Sequence, residues 1–184
     1  IDIMHSSSDH LLVIINDILD VSKIQAGKLE IEKTAFDLRE VTKNCMQIIS
    51  HRVKDNVSLH LKVEEEIAQT VKGDPYRIKQ VLLNLLSNAA KFTEQGFIEL
   101  KCNLLKSEAN MQQIQLIVSD TGKGIDDQYL EKIFDKFSQE ESSVTRKYGG
   151  TGLGLFITKN LVELMDGSIK LNSKKGEGTS FEII

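Results

Sequence analysis

The sequence predicts an α+β chain: a two-layer sandwich with helices on one face of a mixed sheet, preceded by one long bundle-type helix. Three observations carry that expectation. Helical apolar stripes follow one another along the chain interleaved with period-two strand patterns, the signature of helices packed on a sheet. The first stripe, residues 4–26, is broad and stops at Gly27, so it reads as an element of its own. Glycines cluster at residues 122–124, 149–154 and 176–178, at strand and helix junctions where the backbone must turn or approach a neighbour closely.

The first helix, Met4 to about Ala26, places Met4, Leu11 and Ile18 seven apart and Ile14 and Val21 seven apart, with Leu12, Ile15 and Leu19 widening the face. Such a face needs partners, and a four-helix bundle made by dimerisation supplies them. The alternation of Lys28 to Phe36 predicts a strand. Asp37 with Glu40 three later predicts a capped helix through Val53. Val57 to Val63 is the next strand and Val71–Gly73 a short one. Asp74-Pro75 then opens a helix running to about Phe92. Strands follow at about Phe97–Lys106 and Gln113–Asp120, then a helical turn at Gln128–Ile133 and polar sequence from Ser138 to Tyr148. An apolar helix Leu153–Met165 and strands at Ser168–Asn172 and Thr179–Ile184 complete the order.

The 184 residues suffice for one moderate domain with an appendage. A net charge of −4 argues against nucleic acid as a partner. Cys45 and Cys102, far apart and outside any C-x-x-C, are expected to be buried or half-buried thiols of a reducing, cytoplasmic compartment. No signal peptide is visible in this stretch, and no apolar run in it reaches the ~20 residues of a membrane helix. The chain begins without methionine and ends within an apolar alternation, so we expect it to be part of something longer.

Asp120 closes the run Ile114-Gln115-Leu116-Ile117-Val118 and meets Gly122 and Gly124 at once. A carboxylate so placed is an acceptor for the exocyclic amine of adenine. Asn84 and Asn88 share a helix face and offer amide oxygens to a hard cation such as Mg²⁺. Gly150-Thr151-Gly152-Leu153-Gly154-Leu155 opens a helix, and such an N-terminus offers bare N–H groups to phosphate. It is neither a Walker loop nor G-x-G-x-x-G, because no Gly-Lys-Ser/Thr follows and Leu155 stands where a third glycine would.

Taken together these boxes resemble the ATP-binding domain of two-component sensor histidine kinases, in the GHKL superfamily. They run in family order: Asn84 to Asn88 with Lys91, Asp120 to Gly124, Phe134 and Phe137, Gly150 to Gly154, and Gly176-Glu177-Gly178-Thr179. The resemblance implies the Bergerat-type fold over residues 28–184, with residues 1–27 as the second helix of a dimerisation hairpin. It implies Mg²⁺ on Asn88 and adenine on Asp120, with Gly122, Gly124, Ile125 and Thr179 beside it. Phosphates would lie against Lys91, Lys147, Tyr148 and the Gly150–Leu155 stretch, under a lid spanning residues 139–148. Catalytic roles fall to Asn84, Lys91 and Arg146. Thr179 reads equally well as turn chemistry, and Phe134 with Phe137 as core packing.

Related ATPases carry glutamate where Asn84 stands. A neutral amide cannot take a proton from water, which favours transfer to another acceptor over hydrolysis. The implied reaction is phosphoryl transfer from Mg-ATP to a histidine of the dimerisation helix, in a homodimer, for relay to a response-regulator receiver. The wording of the first helix is similar to kinases of the hybrid type. None of His5, His10, His51 and His60 has the family's acceptor setting, so the acceptor is expected outside this chain. The rival readings are a GHKL ATPase or serine kinase, and a non-catalytic dimerising scaffold.

Overall fold

In the computed structural model, residues 2–138 and 152–184 are described. Helix α1 (Asp2–Gln25) leads into β1 (Thr34–Phe36), α2 (Leu38–Ser50), β2 (Val57–Val63), β3 (Val71–Gly73) and α3 (Pro75–Phe92). Then come β4 (Gly96–Glu108), β5 (Met111–Asp120), the single turn α4 (Asp127–Leu130), α5 (Gly154–Leu164), β6 (Ile169–Lys174) and β7 (Gly178–Ile183). Five strands form one sheet in the order β2-β4-β5-β7-β6. The β2–β4 pair is parallel and the others antiparallel. The expected mixed sheet is therefore present, and β5 lies at its centre.

Period-two burial gives the sheet two unlike faces. Ile98, Leu100 and Cys102 of β4, Leu116 and Val118 of β5, and Phe181 and Ile183 of β7 are buried in one core with the apolar stripes of α2, α3 and α5. The opposite face is polar: Glu99 takes both Lys62 (2.9 Å) and Lys101 (2.6 Å), Asn103 Nδ2 donates to Gln115 Oε1, and Ser119 meets Ser180. Those two lysines hold the Glu99 carboxyl below its usual range. Cys45 and Cys102 are buried free thiols, pushed by burial up to about 11 and about 12, which makes them inert.

The helix signals act as expected. Asp37 accepts from Arg39 N–H at 2.8 Å, and Asp74 from Arg77 N–H at 2.9 Å with Pro75 next. Gly27, at φ +63°, ends α1 in a Schellman motif: Lys28 N–H reaches Lys23 C=O at 2.9 Å and Gly27 N–H reaches Ile24 C=O at 3.0 Å. One expectation fails. Of the strand read over residues 28–36 only Thr34–Phe36 pairs, with β3, in a separate two-stranded sheet. The alternation there is real, since Leu29 is buried, but residues 28–33 have no ladder partner. Instead Glu32 N–H donates to Asp74 Oδ2.

Helix α1 is fastened to this body near its end. Asp20 takes both oxygens to Arg77 Nη1 at 3.2 Å and one to Gln80 Nε2 at 2.7 Å, while Arg77 also donates to Gln80 Oε1. All three belong to one half-buried network tying α1 to α3. Arg77→Met should cost this joint ~1–3 kcal/mol. The expected result is faster amide exchange in the last two turns of α1, with exchange in β4 and β5 unchanged. No helix among the described residues is long and apolar enough to cross a membrane.

Candidate functional site

The site is built where β5 ends. Asp120 pairs in register with Ile98 of β4 and Thr179 of β7, so its backbone is fixed from both sides. Its Oδ1 accepts from Gly122 N–H at 2.8 Å. Burial raises the carboxyl above its ordinary value, against lowering by the Gly122 and Thr179 N–H groups and the Thr93 hydroxyl. Thr93 is the cap residue after α3 and is fully buried. Its hydroxyl stands close enough to lower the Asp120 pKa, yet lies outside full hydrogen-bond geometry with any group.

The glycines beside Asp120 meet the protein's own chain. A Cβ on Gly122 would lie 2.6 Å from Phe92 C=O and 2.8 Å from Asp120 Oδ1. One on Gly124, at φ +64°, would fall on Lys174 C=O. Both glycines let the turn pack closely on α3 and β6. Ile125 N–H is held by Ser173 Oγ at 2.9 Å, and Ser173 in turn meets Thr179 Oγ1 at 3.0 Å and donates to Gly178 C=O. Thr179 thus supports the strand end beside Asp120.

The α3 residues fall along one side. Asn84 Nδ2 donates to the buried Thr158 Oγ1 of α5 at 2.8 Å, and a Cβ on Gly154 would collide with Asn84 Oδ1. Gly154 is glycine because Asn84 fills its side-chain space, and the two helices meet through that pair. Asn88 is half-buried one turn further on. Lys91 and Lys123 lie over the Phe92 ring at 5.0 and 5.1 Å. Burial lowers the Lys91 pKa, and the nearby Lys123 charge lowers it further. Phe92, Glu94, Gln95, Thr121, Gly122 and both lysines line a cavity of ≈ 290 Å³ between the end of α3 and the turn after β5.

Helix α5 begins without a side-chain cap: its N-cap is the buried Leu153, preceded by Gly152 at φ +68°. Leu155 packs against the core. Arg146, Lys147, Tyr148, Gly150 and Thr151, and the lid expected over residues 139–148, lie outside the described residues. The two phenylalanines divide. Phe134 packs edge-on to Phe181, whereas Phe137 is 72% exposed at φ +61°, its N–H donating to Gly152 C=O. Sequence reasoning missed Phe92, Thr93, Lys123, Thr158 and Ser173. Phe92 and Thr93, directly after Lys91, and Lys123, inside the Asp120–Gly124 box, carried a signal by position; Thr158 and Ser173 did not.

A carboxylate ends the central strand, and the amide Asn84 joins α3 to the start of α5. Residues 73–184 match the family model of the Histidine kinase-, DNA gyrase B-, and HSP90-like ATPase. The chain is 40% identical over 186 residues to "Autoinducer 2 sensor kinase/phosphatase LuxQ" of Vibrio parahaemolyticus, covering all of this chain and 22% of that protein. It is 40% identical over 188 residues to "Hybrid signal transduction histidine kinase A" of Dictyostelium discoideum, covering 98% of this chain and 9% of the other. The chain therefore spans about a fifth or less of these curated relatives. Among solved structures, full-length ShkA in complex with AMPPNP superimposes with a TM-score of 0.80 at 28% identity, covering 97% of this chain and 36% of that one. The chain belongs to the histidine kinase-, DNA gyrase B- and HSP90-like ATPase family, among its sensor histidine kinases.

Proposed function

We propose that this chain binds Mg-ATP and passes the γ-phosphoryl group to a histidine nitrogen on a dimerisation helix, for relay to an aspartate of a response-regulator receiver. The observation that carries the reading is Asp120, a carboxylate withdrawn from water at the end of the central strand, with one oxygen oriented by Gly122 N–H. Such a group accepts from an exocyclic amine and rejects a 6-oxo purine, whose oxygen would face it. In the transfer the bond from phosphorus to the β–γ bridging oxygen breaks, one from phosphorus to the histidine nitrogen forms, and ADP leaves. Lys91, the α5 N-terminus, Arg146 and Lys147 are the groups assigned to the phosphates. Asn88 would hold Mg²⁺ through its amide oxygen. The ion, when bound, neutralises phosphate charge. Asn84 is a positioning residue: it fixes α5 against α3 through Thr158 and has no basic nitrogen with which to activate water.

The exposed Leu12, Ile15, Ile18 and Leu19 of α1 support a second copy as its partner, in a bundle of paired helices. We assign residues 1–27 to that bundle and 28–184 to the catalytic domain, in a cytoplasmic segment of a parent of hybrid type.

Calorimetric titration with ATP, with and without Mg²⁺, tests the binding. Adding a helical hairpin that bears the acceptor histidine tests the transfer. Acid-labile phosphate on the hairpin is expected; free phosphate alone would show a hydrolase instead. Asn88→Ala should bring the affinity measured in Mg²⁺ down to that in chelator, a loss of about tenfold or more. An undiminished Mg²⁺ effect would remove Asn88 from the metal.

A further inference from the structure

Thr93 Oγ1 is the one buried side-chain polar atom among the described residues that lacks a hydrogen-bond partner. A hydroxyl buried without a partner is unfavourable to the fold. Valine has the same shape and would suit the position better: Thr93 sits at φ −99°, ψ 118°, an extended conformation that β-branched residues favour, and its backbone N–H is already bonded to Ala89 C=O. The hydroxyl is also placed against the nucleotide site. Phe92 C=O and Asp120 Oδ1 crowd the same face of Gly122, and Lys123 N–H reaches Phe92 C=O at 3.3 Å, so the chain at residues 92–93 abuts the turn that orients Asp120.

We propose that Thr93 is a positioning residue of this site: its hydroxyl donates to the Asp120 carboxylate when a purine binds, keeping that carboxylate ionised and turned toward an exocyclic amine. This rests on the nucleotide reading above. The hydroxyl already acts on the carboxylate in the free protein, short of full hydrogen-bond geometry, and a bound purine that turns the carboxylate would complete the bond, which explains why this hydroxyl persists at a fully buried cap. It adds selectivity, because an ionised, oriented carboxylate favours 6-amino over 6-oxo purines, whereas a protonated one would accept both. The charged groups around this corner are otherwise engaged. Lys91 on α3 and Lys123 in the turn lie over Phe92, Lys174 at the end of β6 pairs with Glu177, and Lys175 pairs with Asp126. The donors acting on the carboxylate are the Gly122 and Thr179 N–H groups and this hydroxyl.

The test compares Thr93→Val and Thr93→Ser with wild type in three measurements: thermal melting, ADP affinity by calorimetry from acid to neutral pH, and titration of the Asp120 carboxyl by carbon NMR in the absence of nucleotide. Thr93→Val should melt at or above the wild-type temperature yet bind ADP about tenfold more weakly. Its loss of affinity on acidification should begin at higher pH, with the Asp120 titration moved the same way. Thr93→Ser should restore both. Wild-type affinity and pH profile in Thr93→Val would overturn the proposal, and so would equal weakening by Val and Ser, which would mean shape alone. An Asp120 titration unmoved by the valine would overturn it too, and that measurement needs no ligand. A wild type that takes up no ADP would sink the nucleotide reading itself, and is told apart in that way.

Discussion

Asp120→Asn should lower ADP affinity about 10²-fold while leaving the apo protein at least as stable as wild type at neutral pH. The affinity loss follows from replacing a charge-assisted acceptor by a neutral amide, an effect of roughly 1.5–3 kcal/mol per hydrogen bond. The stability result follows from the sign of the pKa shift. Burial raises the Asp120 carboxyl in the folded state, so the fold binds its proton more tightly than the unfolded chain does. That contribution to stability is fully present below the unfolded value and is lost as pH rises through the raised folded value. Asparagine cannot ionise, so the variant escapes the cost of a buried charge at neutral pH and keeps an oxygen for Gly122 N–H. In wild type, ADP affinity should fall as pH drops through the raised Asp120 value, and in Asp120→Asn this part of the pH dependence should vanish. Calorimetry at several pH values together with denaturant titration checks both halves. A variant that loses affinity and stability together would make Asp120 a folding residue.

The opposed signs explain why this position was legible at all. A carboxylate after five strand residues and before two glycines has no purpose in packing, so the sequence exposed it as chemistry. The helix starts were equally readable, because Asp37 and Asp74 act within four residues of their own position. What stayed hidden was whatever depends on contacts distant in sequence. The strand read at residues 28–36 alternates correctly, but whether it pairs is decided by β3, some forty residues away. Thr158 and Ser173 looked like ordinary helix and strand polar residues. Their roles arise only when α5 meets Asn84 and when β6 runs past Ile125.

The glycines teach the same lesson in the other direction. Their positions were visible, but the reason each must be glycine was not, and two of them give the sharpest test of the fold. Gly178 is at φ +116°, and a Cβ there would land on the Asp120 carbonyl oxygen and 3.0 Å from Thr121 Cα, atoms of the central strand that cannot swing aside. Gly176, two residues earlier at φ +84°, has nothing within 4 Å of its missing side chain. Gly176→Ala therefore meets only the backbone penalty, ~1–2 kcal/mol. Gly178→Ala adds to that penalty the forcing apart of β5 and β7 at their last paired residues. We expect about 4 kcal/mol or more, and a melting temperature lower by roughly 10 °C. Because the next pair in register is Thr179 with Asp120, Gly178→Ala should also lose ADP affinity, while Gly176→Ala keeps it. Melting curves and ADP titrations on the two variants decide the matter. Equal losses in both would mean that backbone angle alone governs this turn, and that the close packing of β7 onto the Asp120 carbonyl does not hold the site in place.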